Sequence, residues 1–378
     1  MSNESQIESN NYHTSSGSAS ATINTTELPD NAVVCLMAPT ASGKTALAYQ
    51  LYDSGRFEIV SVDSALIYRD MTIGTAKPTP QELARYPHHL VDIIDPTESY
   101  SVANFVADVE ALVEQIHARG KIPLLVGGTM MYYMALFTGM SPVPDTDQQI
   151  RDEVEAWRQA EGIEALHEYL KQFDPVIAER LNATDTQRVT RAVEVYKQTG
   201  KPLSEWQKLP KQALADNTEQ YWLGLAVMPD RPWLHERIAL RLQMMWDDGL
   251  VEEVLQLVND YQLSPDTPAM RCVGYRQVVD YLLAVDHLQL KKGILSVNPE
   301  VSNGGLSTDI DSDAACQDMK NKALYATRQL AKRQYTWLRN LVATHGPDES
   351  NQAANNKVVC SFSSMDEVKQ YLFASANQ

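Results

Sequence analysis

The stretch "APTASGKT", Ala38 to Thr45, carries the residue types of a phosphate cradle. Its spacing is that of G-x-x-x-x-G-K-[ST], with Ala38 standing at the first glycine. Backbone N–H groups of such a loop form a nest for anionic oxygens, and the helix that follows adds favourable partial charge. Ala38, Pro39, Thr40, Ala41, Ser42, Gly43, Lys44 and Thr45 are therefore candidates for binding the phosphates of a nucleotide. Lys44 can reach an outer phosphate, and Thr45 is the candidate ligand for Mg²⁺. Gly43 is needed where the backbone comes closest to the ligand. Ala38 is tolerable provided its φ is negative. Taken alone, the motif names ATP, and a kinase or an ATPase is the default reading.

The flanking sequence must position this loop. "NAVVCLM" before it is a short apolar run that suits a buried parallel strand, and "KTALAYQLYD" after it reads as a helix. "FEIVSVD" reads as a second strand that delivers Asp63 at its carboxyl end, and "HHLVDIID" as a third. "SVANFVADVEALVEQIHARG" has apolar residues every three and four positions, Ser101 at its start and Gly120 as a stop, so it is a helix. "KIPLLVGG" and "TMMYYMALFTG" follow as strand and helix. This alternation predicts an α/β fold: a P-loop NTPase-like, doubly wound parallel sheet flanked by helices. Ligands of such sheets sit at the carboxyl ends of the strands, where the loop, Asp63 and Gly127–Thr129 all fall.

From about Pro144 the pattern becomes helical, which predicts an inserted helical subdomain and then a helical C-terminal part. The expected divisions are a disordered N-terminal tail (1–30), a catalytic core (31–143), the helical insertion (144–219), a return to the core with further helices (220–345), and a closing strand and helix (346–378). Within the fourth part, 290–318 reads as a long acidic surface loop. There is no internal repeat.

A chain of 378 residues can bury a sizeable core. It has no run apolar enough to span a bilayer and its N-terminus lacks the features of a signal peptide, so a cytoplasmic protein is expected. Cys35, Cys272, Cys316 and Cys360 fit no C-x-x-C spacing and read as unbridged thiols. The net charge of −17 argues against a nucleic-acid partner. However, "YATRQLAKRQYTWLRN", Tyr325 to Asn340, carries Arg328, Lys332, Arg333 and Arg339 without an acid, and a local stripe can override net charge. His88 and His89 suit a structural turn better than a metal site, and Asp95 before a proline suits turn chemistry.

"VDSALIYRDMTIGTAKP", Val62 to Pro78, closely resembles a signature of the tRNA dimethylallyltransferases, also called tRNA isopentenyltransferases. "HHLVDIIDP", "PLLVGGTMMYYMALFTG", "QRVTRAVEVYKQTGKPLS", "MRCVGYRQV" and "TRQLAKRQYTWLR" fit the same family in the expected order, from about Val33 to Leu341. Two features depart from the family: Ala38 replaces a glycine, and the link from Leu290 to Asp318 is longer.

The resemblance changes the ligand. It implies that the loop holds dimethylallyl diphosphate with Mg²⁺. The acceptor it implies is N6 of the adenine 3′ to the anticodon, in tRNAs reading codons that begin with U. That amine must lose a proton as its new C–N bond forms, and Asp63 is placed to take it; holding Mg²⁺ through water is the other role open to Asp63. Thr129 reads as a helix N-cap, and the resemblance adds contact with the target nucleotide.

The stretches matching tRNA-contacting segments are Asp63, Ser64, Ala65 and Leu66; Gln187, Arg188, Val189, Thr190 and Arg191; Arg271, Cys272, Val273, Gly274, Tyr275 and Arg276; and Lys332, Arg333, Gln334, Tyr335, Thr336, Trp337, Leu338 and Arg339. Arg151 matches a further contact. Their chemistry suits phosphates, base edges and stacking, although a basic helix with Tyr335 and Trp337 in the core would look the same. Arg237 and Arg241 share a helix face; either one reaches the diphosphate, or both form surface salt bridges. A monomer suits a cleft that wraps an anticodon stem. The rivals are a small-molecule kinase using Asp63 as base, an ATPase (though no Walker B strand is evident), and a prenyl transferase acting on free adenine nucleotides.

Overall fold

In the computed structural model, which describes residues 28–299, 314–347 and 356–373, the apolar run before the phosphate loop is strand β1, Ala32–Met37, and every residue of it is buried. Val33, Cys35 and Met37 face one core, while Ala32, Val34 and Leu36 face another. Such two-sided burial explains an unbroken apolar run in place of an alternating one.

Strands β2 (Phe57–Val62), β3 (His88–His89), β4 (Ile122–Gly127), β5 (Tyr221–Val227) and β8 (Lys357–Phe362) complete a six-stranded sheet of order β3-β2-β4-β1-β5-β8. All its neighbouring pairs are parallel. Helices α1 (Lys44–Asp53), α2 (Pro80–Arg85), α3 (Val102–Ala118) and α4 (Met130–Thr138) connect the first strands. Helix α3 begins at a reciprocal Ser101–Asn104 capping box. The predicted sheet with helices on both faces is therefore present.

Between α4 and β5 lie α5 (Gln148–Glu161), α6 (Ile163–Phe173), α7 (Pro175–Arg180), α8 (Thr186–Thr199) and α9 (Leu203–Trp206). They enclose their own small core around Val154, Leu166, Leu170 and Val193. After β5 come α10 (Arg231–Asp247), α11 (Leu250–Asp260), α12 (Tyr275–Ala284), a long α13 (Ala314–His345) and the closing α14 (Met365–Phe373). At about 1.5 Å per residue α13 is roughly 48 Å long. It joins three cores: Cys316 and Met319 pack with α11 and α12, Ala331 and Tyr335 pack on the phosphate loop and α10, and Leu338 and Leu341 pack under the sheet.

Two sequence expectations need correction. The stretch beginning at Leu290 is not all loop: β6 (Leu288–Lys291) and β7 (Ile294–Val297) pair as an antiparallel hairpin. Its turn residues Lys292 and Gly293 have φ of 54° and 81°, as a tight two-residue turn requires, and Leu288 and Leu295 are buried beneath it. The middle of the expected acidic loop, like most of the expected disordered tail, lies outside the described residues. The strand expected over His88 to Asp95 is only two residues long, because Leu90 and Asp92 take φ of 61° and 54°, which ends an extended chain.

Gly127 pairs with Met37 on one side and with Val62 on the other. A Cβ there would lie 2.0 Å from the Val62 carbonyl oxygen. Backbone, not a flexible side chain, is in the way. Gly127→Ala is expected to cost about 2–3 kcal/mol of stability or to prevent folding, read as a shift in denaturant midpoint; a change within about 0.5 kcal/mol would contradict this packing.

Candidate functional site

Because Met37, Gly127 and Val62 are level in the sheet, the loops that leave them emerge side by side. The first is the phosphate loop, the second is Gly128–Thr129, and the third starts at Asp63. They open into one cleft of about 910 Å³, lined also by Thr40, Lys44, Thr45, Gln187, Arg241, Arg271, Arg333 and Trp337.

In the phosphate loop the left-handed residues are Ala41 (φ 62°) and Gly43 (φ 89°), while Ala38 is not among the positive-φ residues. Ala38 is fully buried and donates its N–H to Gly127 O at 3.3 Å, so alanine meets the condition set by the sequence. Holding Ala41 left-handed costs about 1–2 kcal/mol; it is kept there by packing on Leu234, Ile238, Ala331 and Tyr335.

Helix α10 closes the loop from outside. Arg237 Nε donates to Ala41 O at 3.0 Å, and Arg241 donates to Thr40 Oγ1 at 3.5 Å and Thr75 O at 3.4 Å. Their partners are loop oxygens and not acids, so the salt-bridge alternative does not hold. Arg241 also lines the cleft. Desolvation first, and then the Arg241 guanidinium, lower Lys44 to a pKa of about 8, against a pull upward from Asp63. This crowding of cations is a field made for a ligand of multiple negative charge.

Asp63 follows β2 directly, and its Oδ1 accepts the Ala65 N–H at 2.9 Å, which orients the carboxylate. Thr129 does not cap α4 through its side chain. Its hydroxyl turns to the neighbouring loop instead, accepting the Ser64 N–H at 3.0 Å, while its own N–H donates to Val62 O at 3.2 Å. Thr129 thus ties the Asp63–Ser64 turn to the end of β4.

The opposite wall of the cleft runs from Gly74 to Pro78. Glu253 pins its base, accepting the N–H groups of Thr72, Ile73 and Gly74 at 3.0, 2.6 and 3.1 Å and the Tyr275 hydroxyl at 2.5 Å. Sequence reading missed Glu253, since an acid in the first turn of a helix is ordinary and its three backbone partners lie about 180 residues away.

The matching stretches divide by helix face. Asp63, Ser64, Ala65 and Leu66 all line the cleft, as do Arg271 to Arg276. Within the latter, Tyr275 is buried and burial pushes the Cys272 thiol up to about 12. From the C-terminal stretch Arg333, Gln334 and Trp337 line the cleft. Lys332, Thr336 and Arg339 are exposed outside it, whereas Tyr335 and Leu338 are buried. The core reading of that helix therefore applies to Tyr335 but not to Trp337, which is 38% exposed.

In the insert, Gln187 reaches the cleft and accepts a hydrogen bond from Arg271 at 3.2 Å. Arg188 pairs with Asp185 at 3.1 Å, Arg191 bonds Thr146 and Pro144 O, and Arg151 is half-buried on α5. Val189 is buried in the insert's core, and Thr190 Oγ1 is buried as well. His88 bonds Tyr86 O and His89 bonds Glu58, but the two form strand β3 and not the turn expected of them. At Asp95 the expected turn is present, its carbonyl oxygen accepting the Glu98 N–H at 3.0 Å, while its carboxylate accepts from Arg69 at 2.6 Å.

Mg²⁺ characteristically takes one or two protein oxygens and completes its shell with phosphate and water. Among the described residues no group of three His, Cys, Asp or Glu side chains could cage a metal. Thr45 and Asp63 nevertheless share the cleft with the buried Ser61 hydroxyl, which has no hydrogen-bond partner. That sparse oxygen set fits a metal held chiefly through a phosphate ligand. No helix among the described residues is long and apolar enough to cross a membrane.

Sheet, loop and cleft define an α/β enzyme of P-loop-like fold. The profile described as IPP transferase matches residues 66–341. The chain is 68% identical over 355 residues to the tRNA dimethylallyltransferase of Psychrobacter sp. (strain PRwf-1), covering 92% of this chain and 97% of that one. It is 55% identical over 391 residues to the enzyme of the same name from Psychrobacter arcticus, covering 91% and 94%. Among solved structures, the full-length tRNA isopentenylpyrophosphate transferase of Bacillus halodurans aligns with a TM-score of 0.53 at 30% identity, covering 90% of this chain and 93% of that one. A eukaryotic dimethylallyltransferase captured acting on tRNA shares the fold, with a TM-score of 0.62 at 24% identity over 90% of this chain and 75% of that one. The chain belongs to the IPP transferase family, that of the tRNA dimethylallyltransferases.

Lys44 gives this site a pH signature. It is cationic below about pH 8 and neutral above. Affinity for inorganic diphosphate is expected to fall as pH rises through about 8, and Lys44→Met to remove that step. Titration calorimetry across this range checks it; a wild-type affinity that stays level would contradict it.

Proposed function

We propose that this chain transfers a dimethylallyl group from dimethylallyl diphosphate to N6 of the adenine 3′-adjacent to the anticodon, in tRNAs reading codons that begin with U. The observation that carries this reading is the meeting of a cationic phosphate loop and a carboxylate in one cleft with the side chains of Gln187, Arg271, Arg333 and Trp337. A kinase for small metabolites needs the loop and the carboxylate but has no use for that outer rim. Isoacceptor choice rests on the sequence resemblance alone.

In the reaction the allylic C1–O bond breaks and its electron pair leaves with the diphosphate. N6 of the adenine forms the new bond to C1 and gives up one proton. The helix N-terminus at Lys44, the Lys44 ammonium and the Arg241 guanidinium are placed to stabilise the departing anion. Asp63 receives the proton, its carboxylate oriented by the Ala65 N–H. Thr129 holds the Asp63–Ser64 turn against β4 and faces the nucleotide. Thr45 would hold Mg²⁺, with Asp63 in reach through water, and the metal would neutralise charge on the diphosphate.

The acceptor enters as an unpaired base from a hairpin loop, where extrusion is cheap. The cleft suits a polyanion although the chain is acidic. Lys44, Lys77, Arg241, Arg271, Arg276 and Arg333 line it against only Asp63 and Glu82. Trp337 offers a stacking surface beside Arg333.

Purified protein given labelled dimethylallyl diphosphate, Mg²⁺ and unmodified tRNA should label N6 of that adenine. A tRNA carrying purine at the position, which lacks N6, should stay unlabelled. Phosphate transfer from ATP with no labelled tRNA would overturn the proposal. Arg333→Ala should weaken tRNA binding and lower the salt slope by about 0.7–0.9; unchanged binding would remove α13 from the tRNA surface.

A further inference from the structure

We propose that Gln334 is a positioning residue whose side-chain amide locks the donor cradle to the acceptor side of the site; this rests on the prenyl-transfer reading above. Gln334 is 6% exposed. Its Nε2 donates to Gly128 O at 2.8 Å, and its Oε1 accepts the Thr40 N–H at 3.2 Å. One amide thus spans two loops that lie about 90 residues apart in sequence. The fit has no slack, since a Cβ on Gly128 would come within 2.7 Å of Nε2.

The bond engages a phosphate-loop N–H with protein. Thr40 therefore shapes the loop, and the N–H groups at the start of α1 are the ones aimed at the diphosphate. On the other side, Gly128 leads directly into Thr129, whose hydroxyl holds Ser64 beside Asp63. The chain of contacts Thr40–Gln334–Gly128–Thr129–Ser64 runs from the donor cradle to the proton acceptor. It fixes the separation of leaving group and base, a quantity to which group transfer is steeply sensitive.

The placement on α13 extends the link to tRNA. Arg333 and Trp337, one residue before and three after, line the cleft, while Ala331 and Tyr335 pack on Ala41 of the phosphate loop. Two turns of helix, from Ala331 to Trp337, therefore touch the loop from behind and face the acceptor in front.

Gln334→Met keeps the volume and removes both hydrogen bonds. Relative to wild type it should raise the KM for dimethylallyl diphosphate about fivefold or more and lower kcat, while tRNA Kd stays within about twofold. A variant that is merely less stable, with wild-type KM and kcat per folded molecule, would overturn the proposal. Gln334→Glu supplies a second readout. When protonated, the acid reproduces both the donor and the acceptor of the amide; when ionised it can only accept. Its affinity for inorganic diphosphate relative to wild type should recover as pH falls from about 8 to about 6, and a pH-independent ratio would also overturn the role. Absence of prenyl transfer by the wild type would sink the underlying reading instead, and leaves the diphosphate titration as a separate test of Gln334.

Discussion

The site depends on one feature of the sheet: Gly127 is level with Met37 on one side and Val62 on the other. Adjacent strands lie about 4.8 Å apart, so three loops that leave the sheet at one level must share one space. That register brings the phosphate loop, the Gly128–Thr129 turn and Asp63 together without a dedicated scaffold. It also explains why glycine occupies the middle position, where any side chain would meet the Val62 carbonyl. Everything further out refines an arrangement that three parallel strands have already set.

The refinement is polar and comes from distant segments. Arg237 and Arg241 hold the phosphate loop from α10, Glu253 gathers three backbone N–H groups of the opposite wall, and Gln334 bridges the loop to Gly128. Each replaces a solvent contact with a fixed one, which is what pre-organisation demands of a site that must stabilise developing charge. The same arrangement resolves the conflict between a net charge of −17 and a polyanionic substrate. In the cleft lining Lys and Arg outnumber Asp and Glu, the reverse of the whole chain, and at physiological salt charges beyond about 8 Å are largely screened.

Much of the core was legible in the sequence, because buried parallel strands are unbroken apolar runs and their helices carry regular spacing and caps. The phosphate loop was legible by motif, and Asp63 by its place after a strand. What failed did so for local reasons. Lys292 and Gly293 formed a hairpin turn where loop composition suggested none, and left-handed residues cut the third strand short. Within the matched stretches, sequence could not separate the faces of a helix: Val189, Tyr335 and Leu338 pack inward beside neighbours that line the cleft. Thr129 looked like a cap and proved to be a tie between loops. Glu253 gave no signal, since the loop it pins lies about 180 positions away, and Gln334 was legible only as a tRNA contact, since the loops it bridges lie 206 and 294 positions away.

The central claim is that the β2 end supplies the proton acceptor in the same cleft in which the β1 loop holds the leaving group. Single-turnover transfer by Asp63→Asn, at saturating donor and tRNA, tests it most directly. The account predicts a rate lower by about 10²–10⁴, with donor and tRNA affinities within about threefold of wild type. A near-normal rate once Mg²⁺ is raised, or a loss confined to donor affinity, would contradict it and leave Asp63 as a metal-ordering group.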